Sequence, residues 1–307
     1  MSLETLLTEL ADPAAEPASS ELVHLSDLGP EQVATFLERW SEMALRKRRW
    51  LLDELVRLAE DNVELSFDAV FLAALDDRDP DVRREAIRGL WEYEGRDLIR
   101  ALIALLENDP DAAVRAEAAI ALGRFVLQAE LDMLRASDAE RIEQALHRAV
   151  DNESEMSEVR ARALEALGAR SEGWVRDLVQ DAYDSGDRRL RLSAVHAMGR
   201  SADGAWLPSV YEELESDDAE MRFEAAGAAG AIADEGAASH VLPLLLDEDA
   251  EVQLAAIAAL GQIGGPEARA ALRELFAEKN ERTHDAVEAA LADLEFAEDP
   301  LGFTVRE

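Results

Sequence analysis

One stretch of the chain, DPDVRREAIRGLW at residues 79–91, decides the fold because close copies of it follow in register. The copies are DAAVRAEAAIALG at 111–123, DRRLRLSAVHAMG at 187–199, DAEMRFEAAGAAG at 218–230 and DAEVQLAAIAALG at 249–261. MSEVRARALEALG at 156–168 is a weaker copy, and NERTHDAVEAALA at 280–292 is a degenerate one. The position of Arg83 recurs after 32, 45, 31, 31, 31 and 31 residues. Self-similarity at this period predicts stacked supersecondary units.

Each copy has the pattern of an amphipathic α-helix. The leading aspartate can accept hydrogen bonds from the first unpaired backbone N–H groups, and Pro80 suits the first helical position. Apolar residues recur at i, i+4, i+5 and i+8, as in Val82, Ala86, Ile87 and Leu90. A second apolar segment lies between successive copies, so each repeat predicts a helical hairpin. With no strand-like alternation, the sequence predicts an all-α fold, a solenoid of about seven to eight helical hairpins.

The regions outside the copies complete the predicted organisation. It comprises a disordered or weakly ordered acidic segment (1–25), N-terminal capping helices (26–65), the repeat solenoid (66–294) and a C-terminal tail (295–307). The longer step of 45 residues places an insert near 125–150, which is expected to extend the preceding helix. Ser137 and Glu140 have the spacing of a capping box, which predicts a helix starting near residue 138.

The composition limits the classes of function and partner. The 307 residues carry 67 acidic and 31 basic side chains, for a net charge of −36. Such a charge argues against binding nucleic acid or an anionic membrane, and it favours a protein or peptide partner, including a basic one. A proteome adapted to high salt would explain the charge equally well. The chain has no cysteine, no signal-peptide pattern and no membrane-length apolar run, which predicts a cytoplasmic protein.

The repeat resembles the HEAT repeat of the short, bacterial, phycobilisome-lyase-like type. The resemblance rests on the recurring pattern Pro–Leu–Leu, Asp–x–x–Val–Arg, Ala, Ala–Leu–Gly, x–x–Gly, and it covers residues 66–294. It implies a right-handed superhelical α-solenoid that usually serves as a binding scaffold. Similar repeats occur in chromophore lyases, a metal-dependent hydroxylase, DNA-repair enzymes and plain adaptors, so the resemblance alone does not imply one function.

Stacked repeats should align their equivalent arginines and aspartates in a structural ladder. Consistent with the family resemblance, these arginines are expected to pair with turn acids of adjacent repeats, such as Asp79, Asp111, Asp187 and Asp218. The predicted ladder residues are Asp79, Arg83, Asp111, Arg115, Arg160, Asp187, Arg191, Asp218, Arg222 and Asp249.

Several catalytic and ligand-binding motifs are incomplete. Asp77, Asp79 and Asp81 have the spacing of a calcium loop, but Val82 and Arg88 occupy the positions that require glycine and glutamate. No histidine precedes a glutamate, as the iron ligands of the HEAT-fold hydroxylase would require, and no HExxH or G-x-S-x-G motif occurs. We therefore expect no catalytic residue, metal or cofactor, and we do not expect an enzyme.

The best candidate for a functional site is the concave face of the solenoid. Residues one and five places after each ladder arginine should line this face, together with Trp91, which replaces the closing glycine of its copy. The candidate partner-binding residues are Arg84, Arg88, Trp91, Ile120, Leu192, His196, Phe223 and Leu254. The alternative for Leu192, Phe223 and Leu254 is packing between repeats.

Two functions are compatible with the sequence. The first is a non-catalytic scaffold or adaptor that binds a protein segment along the concave face. The second, suggested only by family analogy, is an accessory protein or lyase-like enzyme acting on a cofactor or chromophore attached to a partner. The sequence does not determine the oligomeric state.

Overall fold

The computed structural model describes residues 2–12, 15–278, 280 and 282–298, which form helices and turns without a β-strand. The first ten helices are α1 (Leu3–Ala11), α2 (Ser19–Leu22), α3 (Pro30–Trp40), α4 (Leu45–Asp61), α5 (Asp68–Ala74), α6 (Pro80–Gly89), α7 (Arg96–Asn108), α8 (Ala112–Glu130), α9 (Ala136–Asp151) and α10 (Ser157–Leu167). The others are α11 (Gly173–Tyr183), α12 (Arg188–Arg200), α13 (Leu207–Leu214), α14 (Ala219–Ile232), α15 (Ala238–Val241), α16 (Ala250–Ile263), α17 (Gly265–Ala277) and α18 (His284–Glu298).

From α3 to α18 these helices follow one another along the chain as eight successive pairs, and α5–α6, α11–α12, α13–α14, α15–α16 and α17–α18 pack against each other as hairpins. We call the first helix of each pair the A helix and the second, which carries the repeated motif, the B helix. The chain divides into two compact units, unit 1 (residues 1–125 and 134–159) and unit 2 (residues 126–133 and 160–307). The predicted class, an all-α solenoid of HEAT-like hairpins, is confirmed.

In unit 1, the periodic apolar residues of the motif form the core. Val82, Ala86 and Ile87 on α6 are buried, and α6 packs against both α4 and its hairpin partner α5. The A helix α7 buries the apolar stripe that the periodicity predicted and packs against α9. Helical periodicity in the sequence therefore corresponds to the buried faces of these helices.

The N-terminal segment differs from its prediction. Residues 1–25 were expected to be disordered or weakly ordered, but α1 buries Leu6, Leu7 and Leu10, and Ser2 caps this helix. Helix α2 and the 3-10 helix Val23–Leu25 follow, and they bury Leu22 and Leu25. The acidic and Pro-Ala-Ser composition suggested a linker, but three leucines at helical spacing provide enough apolar surface to dock the segment on unit 1.

The insert lengthens α8, which spans 19 residues. Helix α9 begins at Ala136 with Arg135 as its N-cap, two residues earlier than the Ser137–Glu140 box predicted. Asp138 in its first turn is buried and accepts two hydrogen bonds from the Arg96 guanidinium, at 2.6 and 2.8 Å. The hydrogen bond from Arg96 keeps the pKa of the Asp138 carboxyl below its usual value, although burial opposes this shift. This contact to α7 favours an earlier start for α9 than local capping predicts.

In unit 2, the B helices α12, α14, α16 and α18 stack side by side, each against the next. Close approach occurs where the motif ends in glycine: a Cβ atom on Gly199 would lie 2.7 Å from the Ala228 Cα, and one on Gly230 would lie 2.9 Å from the Ala259 Cα. Helix α18 continues to Glu298, beyond the predicted end of the repeats at residue 294. Residues 299–307, most of the predicted C-terminal tail, lie outside the described residues.

Candidate functional site

In unit 1, the arginine of the repeated motif connects two hairpin turns. The Arg83 Nε and Nη2 atoms donate to the two carboxylate oxygens of Asp109, each at 2.7 Å. The Nη1 atom donates to the backbone carbonyl of Asp77 at 2.7 Å. Arg83 and Asp109 are buried, so the bidentate geometry offsets the cost of removing both charges from water.

Unit 2 repeats this arrangement at Arg222. Its guanidinium donates to both carboxylate oxygens of Asp247, at 2.7 and 2.8 Å, and to the Ser216 carbonyl at 2.8 Å. The hydrogen bond from Arg222 lowers the pKa of Asp247. In the next repeat Gln253 replaces the arginine and donates from Nε2 to the Asp247 carbonyl at 2.6 Å. The carbonyl contact therefore persists without the positive charge.

The partner acids differ from those predicted for four of the arginines. Asp79, Asp111, Asp187 and Asp218 were the expected partners, but Arg83, Arg115, Arg191 and Arg222 bind Asp109, Glu155, Glu213 and Asp247. The N-cap carboxylates of Asp79 and Asp218 also reach the preceding repeat, but there they bind Arg49 and Arg188. The ladder arginines instead bind an acid that stands before the cap or at the end of the A helix. Arg160 is half-buried on α10.

The ladder position of Arg191 also includes a tyrosine. Glu213, which is buried, accepts hydrogen bonds from the Arg191 guanidinium and from the Tyr183 hydroxyl, the latter at 2.8 Å. The Arg191 guanidinium lies 5.0 Å from the centre of the Tyr183 ring. Burial and the hydrogen bond to Glu213 raise the pKa of Tyr183 to about 12. The phenol therefore remains protonated at neutral pH and acts as a hydrogen-bond donor.

The two aspartates of the D-x-D sequence, Asp77 and Asp79, make different hydrogen bonds. Asp79 caps α6 by accepting from the Val82 N–H, and the Asp77 carboxylate accepts from the Asp79 N–H at 2.8 Å. Asp77 also accepts from Trp40 Nε1 and Arg48 Nη1, both at 2.7 Å. The caps predicted at other repeats are present at Asp111, Asp187, Asp218 and Asp249. The aspartates therefore have structural roles throughout.

The candidate residues Trp91, Ile120, Arg88 and Arg84 come together in unit 1. Trp91 follows the end of α6 and is 59% exposed, and Ile120 on α8 is 49% exposed. They line a groove of about 250 Å³ together with Ile87, Arg88, Glu117, Ala121 and Arg124. Arg88 donates to Glu117 at 2.8 Å and to Glu85 at 2.9 Å, and Arg84 lies 3.4 Å from Asp81. The groove thus combines an apolar floor with a charge-paired rim.

Two charged residues of this groove, Arg124 and Glu117, were not predicted. Arg124 donates to the backbone carbonyls of Trp91 and Tyr93, so it holds the α6–α7 loop against α8. Glu117 accepts a hydrogen bond from Arg88, and the Glu117 carboxylate lies at the rim. Arg124 could have been found from the sequence, because it is a basic residue that directly follows Gly123, the closing glycine of its motif. Spacing from the ladder arginine alone did not select either residue.

The other candidate residues lie in unit 2, where one of them is buried. Leu192 is only 2% exposed and packs within the core, so its prediction as a partner-binding residue is wrong. Helix α12 packs closely on α14, where a Cβ atom on Gly199 would lie 2.7 Å from the Ala228 Cα. Phe223 is 40% exposed and Leu254 is half-buried. The His196 Nδ1 atom lies 3.1 Å from the Glu224 carboxylate.

Across residues 2–12, 15–278, 280 and 282–298, histidine, aspartate and glutamate side chains form no group of three that could hold a metal ion. No described helix has the length and apolar character needed to cross a membrane. The surface features that stand out are the apolar and charged faces of the B helices.

Comparisons with solved structures show proteins of the same fold. The complex of CpcE and CpcF of phycocyanin lyase from Nostoc sp. PCC7120 is 18% identical with a TM-score of 0.52, covering 92% of this chain and 97% of that chain. The karyopherin Kap121p bound to the extreme C-terminus of the protein phosphatase Cdc14p is 14% identical with a TM-score of 0.54, covering 97% of this chain and 38% of that chain. At these identities the likeness shows the fold alone.

Comparison with protein families is more specific. No curated protein matches the chain. The family model for HEAT repeats matches residues 69–151 and 207–292, which together make up more than half of the chain. The match confirms the resemblance seen in the repeated motif, and the chain belongs to the HEAT-repeat family.

Proposed function

We propose that this protein is a non-catalytic scaffold or adaptor that binds a protein segment on the exposed faces of its B helices. In unit 1 the binding site is the groove between Trp91 and Ile120. The observation that carries the proposal is the juxtaposition of these two large apolar side chains, 59% and 49% exposed, in a groove of about 250 Å³. A solvent-exposed apolar cluster of this kind is typical of a partner site.

The groove provides both affinity and orientation for a partner. Burying an isoleucine-sized side chain contributes about 1.5–3 kcal/mol, and tryptophan and arginine are common among the residues that dominate binding energy. Arg88 and Glu117 form an ion pair at the rim, and each retains hydrogen-bonding capacity for a partner backbone. A peptide that inserts one apolar side chain beside Trp91 would leave both charges at the edge, where desolvation costs little.

The comparisons support protein binding by this fold. Kap121p was solved bound to the extreme C-terminus of Cdc14p and bound to Pho4p, and CpcE was solved in complex with CpcF. These are properties of those proteins. They support the proposal because a HEAT-type fold can present a surface for another polypeptide.

A peptide-library selection tests the proposal. Immobilised protein is used to enrich peptides from a phage-displayed random library, and the affinities of the enriched peptides are then measured in solution. We expect Trp91→Ala combined with Ile120→Ala to weaken binding at least about tenfold, which corresponds to about 1.4 kcal/mol. The reason is that both substitutions remove apolar contact area without removing a charge.

The matched control is Val63→Ala, which removes an apolar side chain that is 92% exposed in unit 1 and lies outside the groove. This variant should bind the enriched peptides like the parent protein. Enriched peptides that bind all three proteins equally would show that the Trp91 groove is not the binding site. Circular dichroism of each variant verifies that helicity is unchanged.

A further inference from the structure

Negative charge is concentrated in the repeats of unit 2. Residues 201–278 contain 17 acidic and three basic residues, whereas residues 46–100 contain 14 acidic and 11 basic ones. The net charge is therefore −14 over the 78 residues of the first region and −3 over the 55 residues of the second. Acids and bases are nearly balanced in residues 46–100, whereas acids greatly outnumber bases in residues 201–278.

An exposed apolar strip lies on the B helices of this acidic region. On α14, Phe223, Gly227 and Ala231 are four residues apart and exposed, so they share one helix face. On α16, Leu254 is half-buried and Ala258 is exposed at the equivalent positions. A Cβ atom on Gly227 would have no neighbour within 4 Å, so the surface between Phe223 and Ala231 is open. We call these five residues the Phe223 strip.

Acidic side chains border the strip at the N-terminal ends of both helices. Glu220 precedes Phe223 by three residues and Glu251 precedes Leu254 by three, so each acid lies on the same side of its helix as the apolar residue. Glu220 is paired with Arg188, whereas Glu251 is exposed and no ion pair of it occurs among the described residues. Glu224, on the side toward α12, contacts His196.

The two arginines beside the strip are already engaged, since Arg188 is paired with both Glu220 and Asp218. Arg222 is fully committed to Asp247 and to the Ser216 carbonyl, and its side chain is only 11% exposed. It therefore provides little positive potential at the surface. A ligand on the Phe223 strip would encounter an apolar floor with carboxylates at the border.

We propose that the Phe223 strip binds a partner segment in which one apolar side chain is flanked by lysine or arginine residues. This inference deepens the proposed scaffold function by stating the chemistry of a partner at a second site. The apolar side chain packs on Phe223 and Leu254, while a flanking cation approaches Glu251, the exposed acid at the border of the strip. Charge complementarity selects this occupant, because an acidic segment, a nucleic acid or a second copy of this chain would be repelled.

Labelled synthetic peptides test this inference. The first peptide has a central leucine with three lysines on each side, the second has glutamate in place of each lysine, and the third has serine in place of the leucine. Fluorescence anisotropy with the full-length protein should show binding of the first peptide only, and this binding should weaken as salt is raised. We expect Phe223→Ala to weaken it at least about tenfold and Glu251→Gln about two- to threefold.

Matched controls separate a site from general attraction to an acidic surface. Leu246→Ala removes an 88% exposed apolar side chain outside the strip, and Glu274→Gln removes an exposed charge on the A helix α17. Both should bind the leucine–lysine peptide unchanged. Equal binding of the serine peptide, or equal effects of Glu274→Gln and Glu251→Gln, would overturn the inference in favour of non-specific ionic attraction.

Two further outcomes would also contradict this site. Binding of the glutamate peptide, or a protein dimer that Phe223→Ala dissociates, would show that the strip has a different occupant. Because Phe223 is 40% exposed, circular dichroism should show a folded Phe223→Ala variant, and Glu251→Gln provides a second test that does not alter packing. If the Phe223 strip fails this test, the result for the Trp91 groove still stands, because the two experiments use different variants and different peptides.

Discussion

The stabilising role of a single aspartate depends on its place within the D-x-D turn. Asp111 caps α8 by accepting from the backbone of Ala113 and Val114, which is a local interaction. Asp109 stands two residues earlier, is buried, and neutralises Arg83 of the preceding repeat. Two aspartates in the same turn therefore contribute differently, because one satisfies backbone N–H groups and the other compensates a buried charge.

Asp109→Asn should destabilise the protein much more than Asp111→Asn. Removing one partner of a buried ion pair costs about 3–5 kcal/mol, because the remaining charge is left uncompensated. Asparagine is about as good an N-cap as aspartate, so Asp111→Asn should cost less than about 0.5 kcal/mol. Urea unfolding followed by circular dichroism compares the two variants. Equal midpoints would show that the Arg83–Asp109 pair does not stabilise unit 1.

Helices in unit 2 approach closely because small residues face one another at the contact. Helix α14 carries glycines in two different environments: Gly230 faces α16, and Gly227 faces open space. A Cβ atom on Gly230 would lie 2.5 Å from Gln262 Oε1 and 2.9 Å from the Ala259 Cα. The flexible Gln262 side chain can move, but the α16 backbone cannot move without separating the two helices.

Gly230→Ala should therefore destabilise unit 2, and Gly227→Ala should stabilise it. Overpacking at a close backbone contact costs about 1–3 kcal/mol. At Gly227 there is no clash, so alanine should stabilise by up to about 1 kcal/mol through its higher helix propensity. Thermal unfolding of the two variants provides the measurement. A stabilising Gly230→Ala would mean that α14 and α16 are not held in close contact at this position.

At the scale of the whole molecule, the net charge of −36 opposes compaction. Repulsion between exposed carboxylates is long-ranged and is screened by salt, with a Debye length of about 10 Å at 0.1 M ionic strength. The ion pairs of the ladder arginines are partly or fully buried, so salt screens their attraction much less. Salt should therefore relieve the repulsion more than it weakens the pairs that hold neighbouring repeats together.

Adding potassium chloride to about 1 M should raise the midpoint of thermal unfolding by at least about 5 °C, which corresponds to more than about 1 kcal/mol for a chain of this size. Sucrose at the same osmolarity provides the control for solute exclusion. A midpoint that falls with added salt would show that exposed ion pairs contribute more to stability than charge repulsion subtracts.

Features that depend on neighbouring residues could be predicted from the sequence. The repeat spacing, the caps at Asp79 and Asp249 and the buried stripe of α6 follow from interactions within about four residues, and the all-α solenoid class follows from their recurrence. The groove was predicted only in part. Trp91 and Ile120 were included because of their positions in the repeat, while Arg124 depends on a loop more than 30 residues away in the chain.

The sequence alone therefore determined that this protein is a stack of capped helical hairpins with a strongly acidic surface. Only the tertiary structure decided that Asp109 and Asp247 hold the arginines, that α1 docks through its leucines, and that Leu192 is buried while Phe223 is exposed. The physical reason is that helix formation and capping are local, whereas charge pairing and burial depend on how closely the next hairpin packs.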